Sequence, residues 1–262
     1  MVEQLLFGMV GATVIAVVSR SARFLSASGA VAQWLLGTVL LGIGGWQWTV
    51  PMLAFFLSSS IVSRMWKERR AGVETFFEKT SLRDAGQVFA NGGVAGIVTL
   101  VWGMTRNDAL YCFFAGAVAA AAADTWATEL GTLSRSSPIL LTTFRRVERG
   151  RSGAVSFAGL LAAVVGGLVV ALSALPWAVS NTVAFVAAVT AGGILGSLAD
   201  SLMGAVAQAQ FRCTVCSRIT ELESHCNQQA LHLHGARFLR NDQVNLFCTI
   251  AGGTSAYLFF QF

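Results

Sequence analysis

The chain has 262 residues, of which 55% are hydrophobic and only 12% charged, with 27 glycines and a mean hydropathy of +0.64. Soluble domains carry about 25% charged residues, so this composition excludes an ordinary globular enzyme and points to an all-α, polytopic membrane protein. A net charge of +5 then has to be read from where the cations sit.

A helix crosses the hydrocarbon core with about 20 apolar residues, and eight stretches qualify, at roughly 3–18, 28–44, 46–63, 85–104, 109–130, 153–175, 181–207 and 244–261. They form a single integral membrane domain over 1–262, with prominent connections at 64–84, 131–152 and 208–243. The first stretch lacks a basic leader and carries Glu3, which reads as a retained helix rather than a signal peptide. Seventeen of the 18 Lys and Arg fall in the connections after spans one, three, five and seven, leaving Arg106 alone on the other side. Basic loops stay in the cytoplasm, so these connections are expected there and both termini outside. The positive charge is membrane topology, and no nucleic-acid partner is expected.

In spans one to three, Gly8, Gly11, Gly37, Gly42, Gly44 and Gly45 permit close helix approach. Trp34, Trp46, Trp48 and Trp66 fit interfacial aromatic belts. Ser58, Ser59, Ser60 and Ser63 either line a polar cavity or bond back to helix carbonyls. The mixed-charge connection that follows is expected to include a surface helix against anionic lipid.

Span four opens with Arg83-Asp84, and Asp84, Gln87 and Asn91 share one helix face. Asp84 alone could be a cap, which leaves Asn91, two turns deeper, unexplained. Span five ends in Asp124, Thr125, Thr128 and Glu129. Carboxylates embedded near lipid mark function by default. Asp124 and Glu129 point about 140° apart on an ideal helix, so they can flank an ion or a phosphate cluster. A structural pair with Arg145 or Arg146 is the competing reading.

After span five, Arg145, Arg146 and Arg151 precede Ser152-Gly153-Ala154-Val155-Ser156, a basic small-residue loop feeding a helix start. Free N–H groups and the positive dipole end make such a junction receptive to phosphate. The loop matches no Walker A pattern. In span seven, Ala199-Asp200-Ser201 echoes Ala123-Asp124-Thr125, as an internal duplication would.

The last long loop carries Cys213, Cys216, His225, Cys226, His232 and His234. A C-x-x-C followed by His-Cys is compatible with a tetrahedral structural zinc held by Cys213, Cys216, His225 and Cys226; free reduced thiols are the alternative. Cys112 and Cys248 lie in apolar spans and read as packing residues. Asn241, Asp242 and Asn245 then face roughly one way at the start of span eight, more polar groups than a cap needs.

Asp84, Asn91, Asp124, Glu129, Ser152, Asp200, Asp242 and Asn245 thus converge at one end of five spans. Buried acids beside arginines are reconciled by a divalent cation with phosphate: carboxylates hold Mg²⁺, arginines and helix starts hold phosphoryl oxygens.

The runs at 83–93, 123–134, 150–156, 196–205 and 241–245 resemble the integral membrane family of the plant phytyl-phosphate kinase and its bacterial relatives. The likeness covers nearly the whole chain, although Arg151 and Ala154 stand where the family's loop usually has threonine and a second glycine. The resemblance implies transfer of a terminal phosphoryl group from a nucleoside triphosphate, CTP in the plant case, to an isoprenoid monophosphate. Asp124, Glu129 and Asp200, with Asp84 or Asp242, would then hold Mg²⁺. Arg83, Asn91, Thr125, Arg145, Arg146, Ser152, Gly153, Ser201, Asn241, Asp242 and Asn245 would hold phosphates and substrate. The prenyl tail would stay in the bilayer, a partner in its own right. A transporter or flippase for a phosphorylated lipid is the rival reading, and a scaffold for cytoplasmic partners a third. Oligomeric state is left open.

Overall fold

The computed structural model describes residues 2–66, 78, 82–134, 136–178 and 181–261. Among the described residues, eight long helices lie at the eight expected spans: α1 (Val2–Ser21), α2 (Ala27–Val39, prolonged by a π turn over Leu40–Gly44), α3 (Trp46–Met65), α4 (Ala85–Thr105), α5 (Ala109–Gly131), α6 (Phe157–Ala174), α7 (Thr182–Val206) and α8 (Asn241–Gln261). Six of the described helices are long and apolar enough to cross a membrane. α3 and α8, both rich in hydroxyl and amide side chains, do not meet that measure. The connection at 64–84, with its expected surface helix, lies largely outside the described residues.

α5 is the axis of the bundle, packed against α6, α7 and α8 and also touching α3 and α4. Its run from Ala115 to Ala123 is buried on every side, as befits a helix without a lipid face. Small residues make that crowding feasible, because between membrane helices close backbone approach takes over the work that hydrophobicity does in water. On α7 and α8, Gly193 faces the Ala119 carbonyl, and Gly196 and Gly252 meet the Ala120 methyl, where a side chain on the glycine would collide.

Away from the loops, the core closes with aromatics. Trp48 is fully buried with Phe114 and Tyr111 at centroid distances of 4.6 and 5.5 Å, so it is a core residue and not part of an interfacial belt.

Where the sequence suggests that span six begins at 153, the helix starts four residues later. Ala154–Val155 forms a strand, β2, paired antiparallel with β1 (Ile139–Leu140). Ser156 then caps α6 by accepting from the Gly159 N–H at 3.1 Å. The loop before α8 is folded as well: β3 (Gln210–Arg212) lies between β4 (Ile219–Thr220) and β7 (Leu231–His234), beside a small hairpin of β5 (Ser224–His225) and β6 (Gln228–Gln229).

Candidate active site

The loop-bearing ends of α4, α5, α7 and α8 surround a polar cavity of about 220 Å³. α5 supplies Asp124, Thr125, Thr128 and Glu129; α7 supplies Ser197, Asp200 and Ser201; α8 supplies Asn241 and Asn245; and α4 with its lead-in supplies Arg83, Gln87 and Asn91. The loop before α6 closes one wall with Arg149, Arg151, Ser152 and Gly153, and Glu221 reaches in from the folded loop before α8.

Carboxylate oxygens of Asp124 and Asp200 approach within 4.8 Å of each other and of Cys248 Sγ. The Ser197 hydroxyl donates to Asp124 Oδ1 at 3.2 Å. Among the described residues, buried Asp200 Oδ2 has no hydrogen-bond partner. Glu221 belongs to the same electrostatic neighbourhood, close enough to Asp200 to repel its charge. Burial raises the Glu221 carboxyl pKa, while the Ser152 hydroxyl, donating at 2.6 Å, and the Glu78 N–H, at 3.1 Å, pull it back.

Glu129 is not gathered with the Asp124–Asp200 pair. It accepts from the Ser63 hydroxyl at 2.6 Å and faces the Arg83 guanidinium, whose pKa burial lowers to about 10 while Glu129 pushes it back up. Arg83 therefore stays cationic near neutrality. It lies over the Phe55 and Phe56 rings at 5.3 and 5.6 Å, fixed by cation–π contact.

Four expected residues do not line the cavity. Asp84 caps α4 in a reciprocal capping box with Gln87, a role its D-x-x-Q spacing signals. Arg145 and Arg146 are exposed on the turn that β1 begins. Asp242 lies against Gly86 of α4 instead. In their place stand Arg149, Arg151, Ser197, Gln208 and Glu221. Of these, Glu221 carried no sequence signal, because a lone acid in a mixed loop looks like solvated surface. Gly153 has φ +80°, and a side chain there would strike Ala205, so the loop needs glycine to press this closely on α7.

A second, apolar cavity of about 60 Å³ opens among α1, α2, α3 and α4 and shares Arg83, Gln87 and Asn91 with the polar one. In the folded loop, donor atoms of Cys213, Cys216, His225 and Cys226 also lie within 4.8 Å of one another. His232 instead packs edge-on against Phe211.

Residues 10–253 match the family described as Integral membrane protein DUF92. An uncharacterized membrane protein of Methanocaldococcus jannaschii is 30% identical over 247 residues, 94% of this chain and 90% of that protein. Protein PGR of Arabidopsis thaliana is 30% identical over 240 residues, 82% of this chain and 83% of its own length. Protein VTE6, chloroplastic, from the same plant, is 26% identical over 245 residues, 91% of this chain and 66% of its own. No solved structure matches the chain.

Proposed function

The chain belongs to the integral membrane family DUF92, and on that premise we propose that it is a membrane-embedded phosphotransferase that converts an isoprenoid monophosphate to the diphosphate. The reading rests on one observation: Asp124 and Asp200, from separate helices, meet in a pocket also lined by Arg83, Arg149 and Arg151. Two carboxylates this close repel each other unless a proton or a cation joins them. Oxygen donors with an unused lone pair on Asp200 suit Mg²⁺, a hard ion that shares one or two carboxylates with substrate phosphates. Asp124 and Asp200 would hold it, and it would neutralise charge on the transferring phosphoryl group.

The remaining residues bind and orient. Arg149, Arg151 and the Ser152–Gly153 backbone take phosphate oxygens of the nucleoside triphosphate by charge-assisted hydrogen bonds. Thr125, Ser201, Asn91, Asn241 and Asn245 add neutral partners around them. Glu129 and Ser63 steady Arg83 at the acceptor's phosphate. An acceptor oxygen attacks the terminal phosphorus, a new P–O bond forms as the bond to the leaving oxygen breaks, and the nucleoside diphosphate departs. The attacking oxygen is already anionic, so positioning and charge neutralisation replace a strong base.

The isoprenoid tail would stay in the bilayer, with the first of its carbons beside the small apolar cavity that shares Arg83, Gln87 and Asn91 with the polar one. The motif resemblance favours phytyl as the isoprenoid and CTP as the donor, and the positive-inside rule applied to the basic loops favours a pocket on the cytoplasmic face. Passage of a phosphorylated lipid through the bundle is disfavoured by the far end, where Trp48, Phe114 and Phe185 are fully buried.

The test uses protein purified in detergent, Mg²⁺, labelled CTP or ATP, and phytyl or geranylgeranyl monophosphate. Wild type is expected to form the diphosphate, and Asp124→Asn and Asp200→Asn to form almost none. Equal product from all three proteins removes the aspartates from the chemistry; no product from any prenyl phosphate overturns the reading.

A further inference from the structure

The folded loop before α8 holds a second cluster of donors, chemically unlike the first. Cys213 opens a tight turn: the Ser217 N–H bonds the Cys213 carbonyl at 3.0 Å, and the N–H groups of Val215 and Cys216 donate to Cys213 Sγ at 3.4 and 3.5 Å. Across from it, the β5–β6 hairpin presents His225 and Cys226. His225 Nδ1 lies 3.5 Å from Cys216 Sγ and 3.2 Å from Cys226 Sγ.

Around a tetrahedral zinc with bonds of about 2.3 Å to sulfur and 2.0 Å to nitrogen, neighbouring donors sit about 3.5–3.8 Å apart. The four donor atoms here lie within 4.8 Å of one another, and the separations of His225 Nδ1 from its two sulfur neighbours come close to that spacing. Soft sulfur with one imidazole selects zinc over the hard ion suited to Asp124 and Asp200. The loop's strands are only two to four residues long, so a metal cross-link would add to what the burial of Ala209 and Phe211 supplies.

We infer that Cys213, Cys216, His225 and Cys226 bind one structural zinc ion, which holds the loop so that Glu221 stays in the polar cavity. Glu221 lies between ligands Cys216 and His225 in the chain and directly follows β4. Its carboxylate is joined to Ser152 at 2.6 Å, and Arg240 donates to its carbonyl at 3.2 Å. The zinc closes the base of the segment whose tip makes these contacts. It is a positioning ion and takes no part in phosphoryl transfer, so the inference stands or falls apart from the proposed reaction.

Metal analysis of the full-length protein in detergent is expected to give about one zinc per chain, unchanged in Cys112→Ala and in Asp200→Asn. Cys216→Ser and Cys226→Ser are expected to retain roughly a tenth or less. Should those variants fail to fold, wild type exchanged into cobalt provides the second reading: thiolate-to-cobalt charge-transfer absorption with tetrahedral ligand-field bands is expected. Extracting the zinc with a thiol-reactive mercurial is expected to speed hydrogen exchange across 213–226 while α5 stays protected. Wild type without zinc and without the cobalt signature, cysteines recovered as a disulfide, or zinc retained in Cys226→Ser overturns the site. Unchanged exchange after zinc loss overturns its positioning role.

Discussion

At one end of α5, Tyr111 and Phe114 pack with Trp48 and Phe185, and the Tyr111 hydroxyl donates to the carbonyls of Gln47 and Ala174 at 3.0 and 3.2 Å. At the other end, Asp124 crowds Asp200, and a buried oxygen of Asp200 is left without a partner among the described residues. One helix thus joins a close-packed aromatic core, where the buried Trp48 indole N–H lacks a hydrogen-bond partner among the described residues, to a pocket of unreconciled charge. Stability is concentrated where rings pack closely, and a ligand is wanted where like charges meet. Substitutions at the two ends should therefore fail in different ways.

The largest effect is expected at the charged end. Asp124→Asn and Asp200→Asn should each lower phosphoryl transfer by about a thousandfold while leaving thermal stability equal or higher, because neutralising one acid relieves the repulsion. A large loss of melting temperature together with activity would erase the contrast between the ends. Next comes Trp48→Ala, expected to cost about 3 kcal/mol by leaving a cavity among close-packed rings. Turnover per folded molecule should change little, as measured by denaturation and by assays normalised to folded protein. Gly153→Ala should lower activity by about tenfold, since a side chain at φ +80° would push the loop off Ala205; KM for the nucleotide should rise more than kcat falls.

The smallest effect concerns pH. The folded state holds the Glu221 proton more tightly than the unfolded chain does, because burial raises that pKa above its ordinary 4.5. Its contribution to stability is fully present below the unfolded value and fades as pH rises through the folded one. Glu221→Gln should flatten that decline above the ordinary carboxylate range, read as melting temperature against pH in detergent. An unaltered profile would take Glu221 out of the charged end's electrostatics.

The eight helices were legible because length and hydropathy are local properties of about 20 residues. Asp124, Asp200, Asn91 and Asn245 were legible as lining candidates because polar side chains inside apolar runs are conspicuous. Asp84 was over-read: the capping box with Gln87 explains it without a ligand, and the signal for that lay in the same few residues. Arg145 and Arg146 were over-read because charge density in a loop does not say which way the loop turns. β1 and β2 pair so that Arg149 and Arg151 line the pocket while the turn carries Arg145 and Arg146 outward.

By itself the sequence determined that the chain is a helical membrane bundle, that its acids and arginines gather at one end, and that a thiol-rich loop precedes the last helix. Each follows from composition or spacing along the chain. Tertiary structure alone decided that Asp124 meets Asp200 while Glu129 pairs with Ser63, and that Glu221 enters the pocket from a distant loop. Those distances depend on how closely small residues let α5, α7 and α8 approach, which is a property of facing surfaces rather than of any one segment.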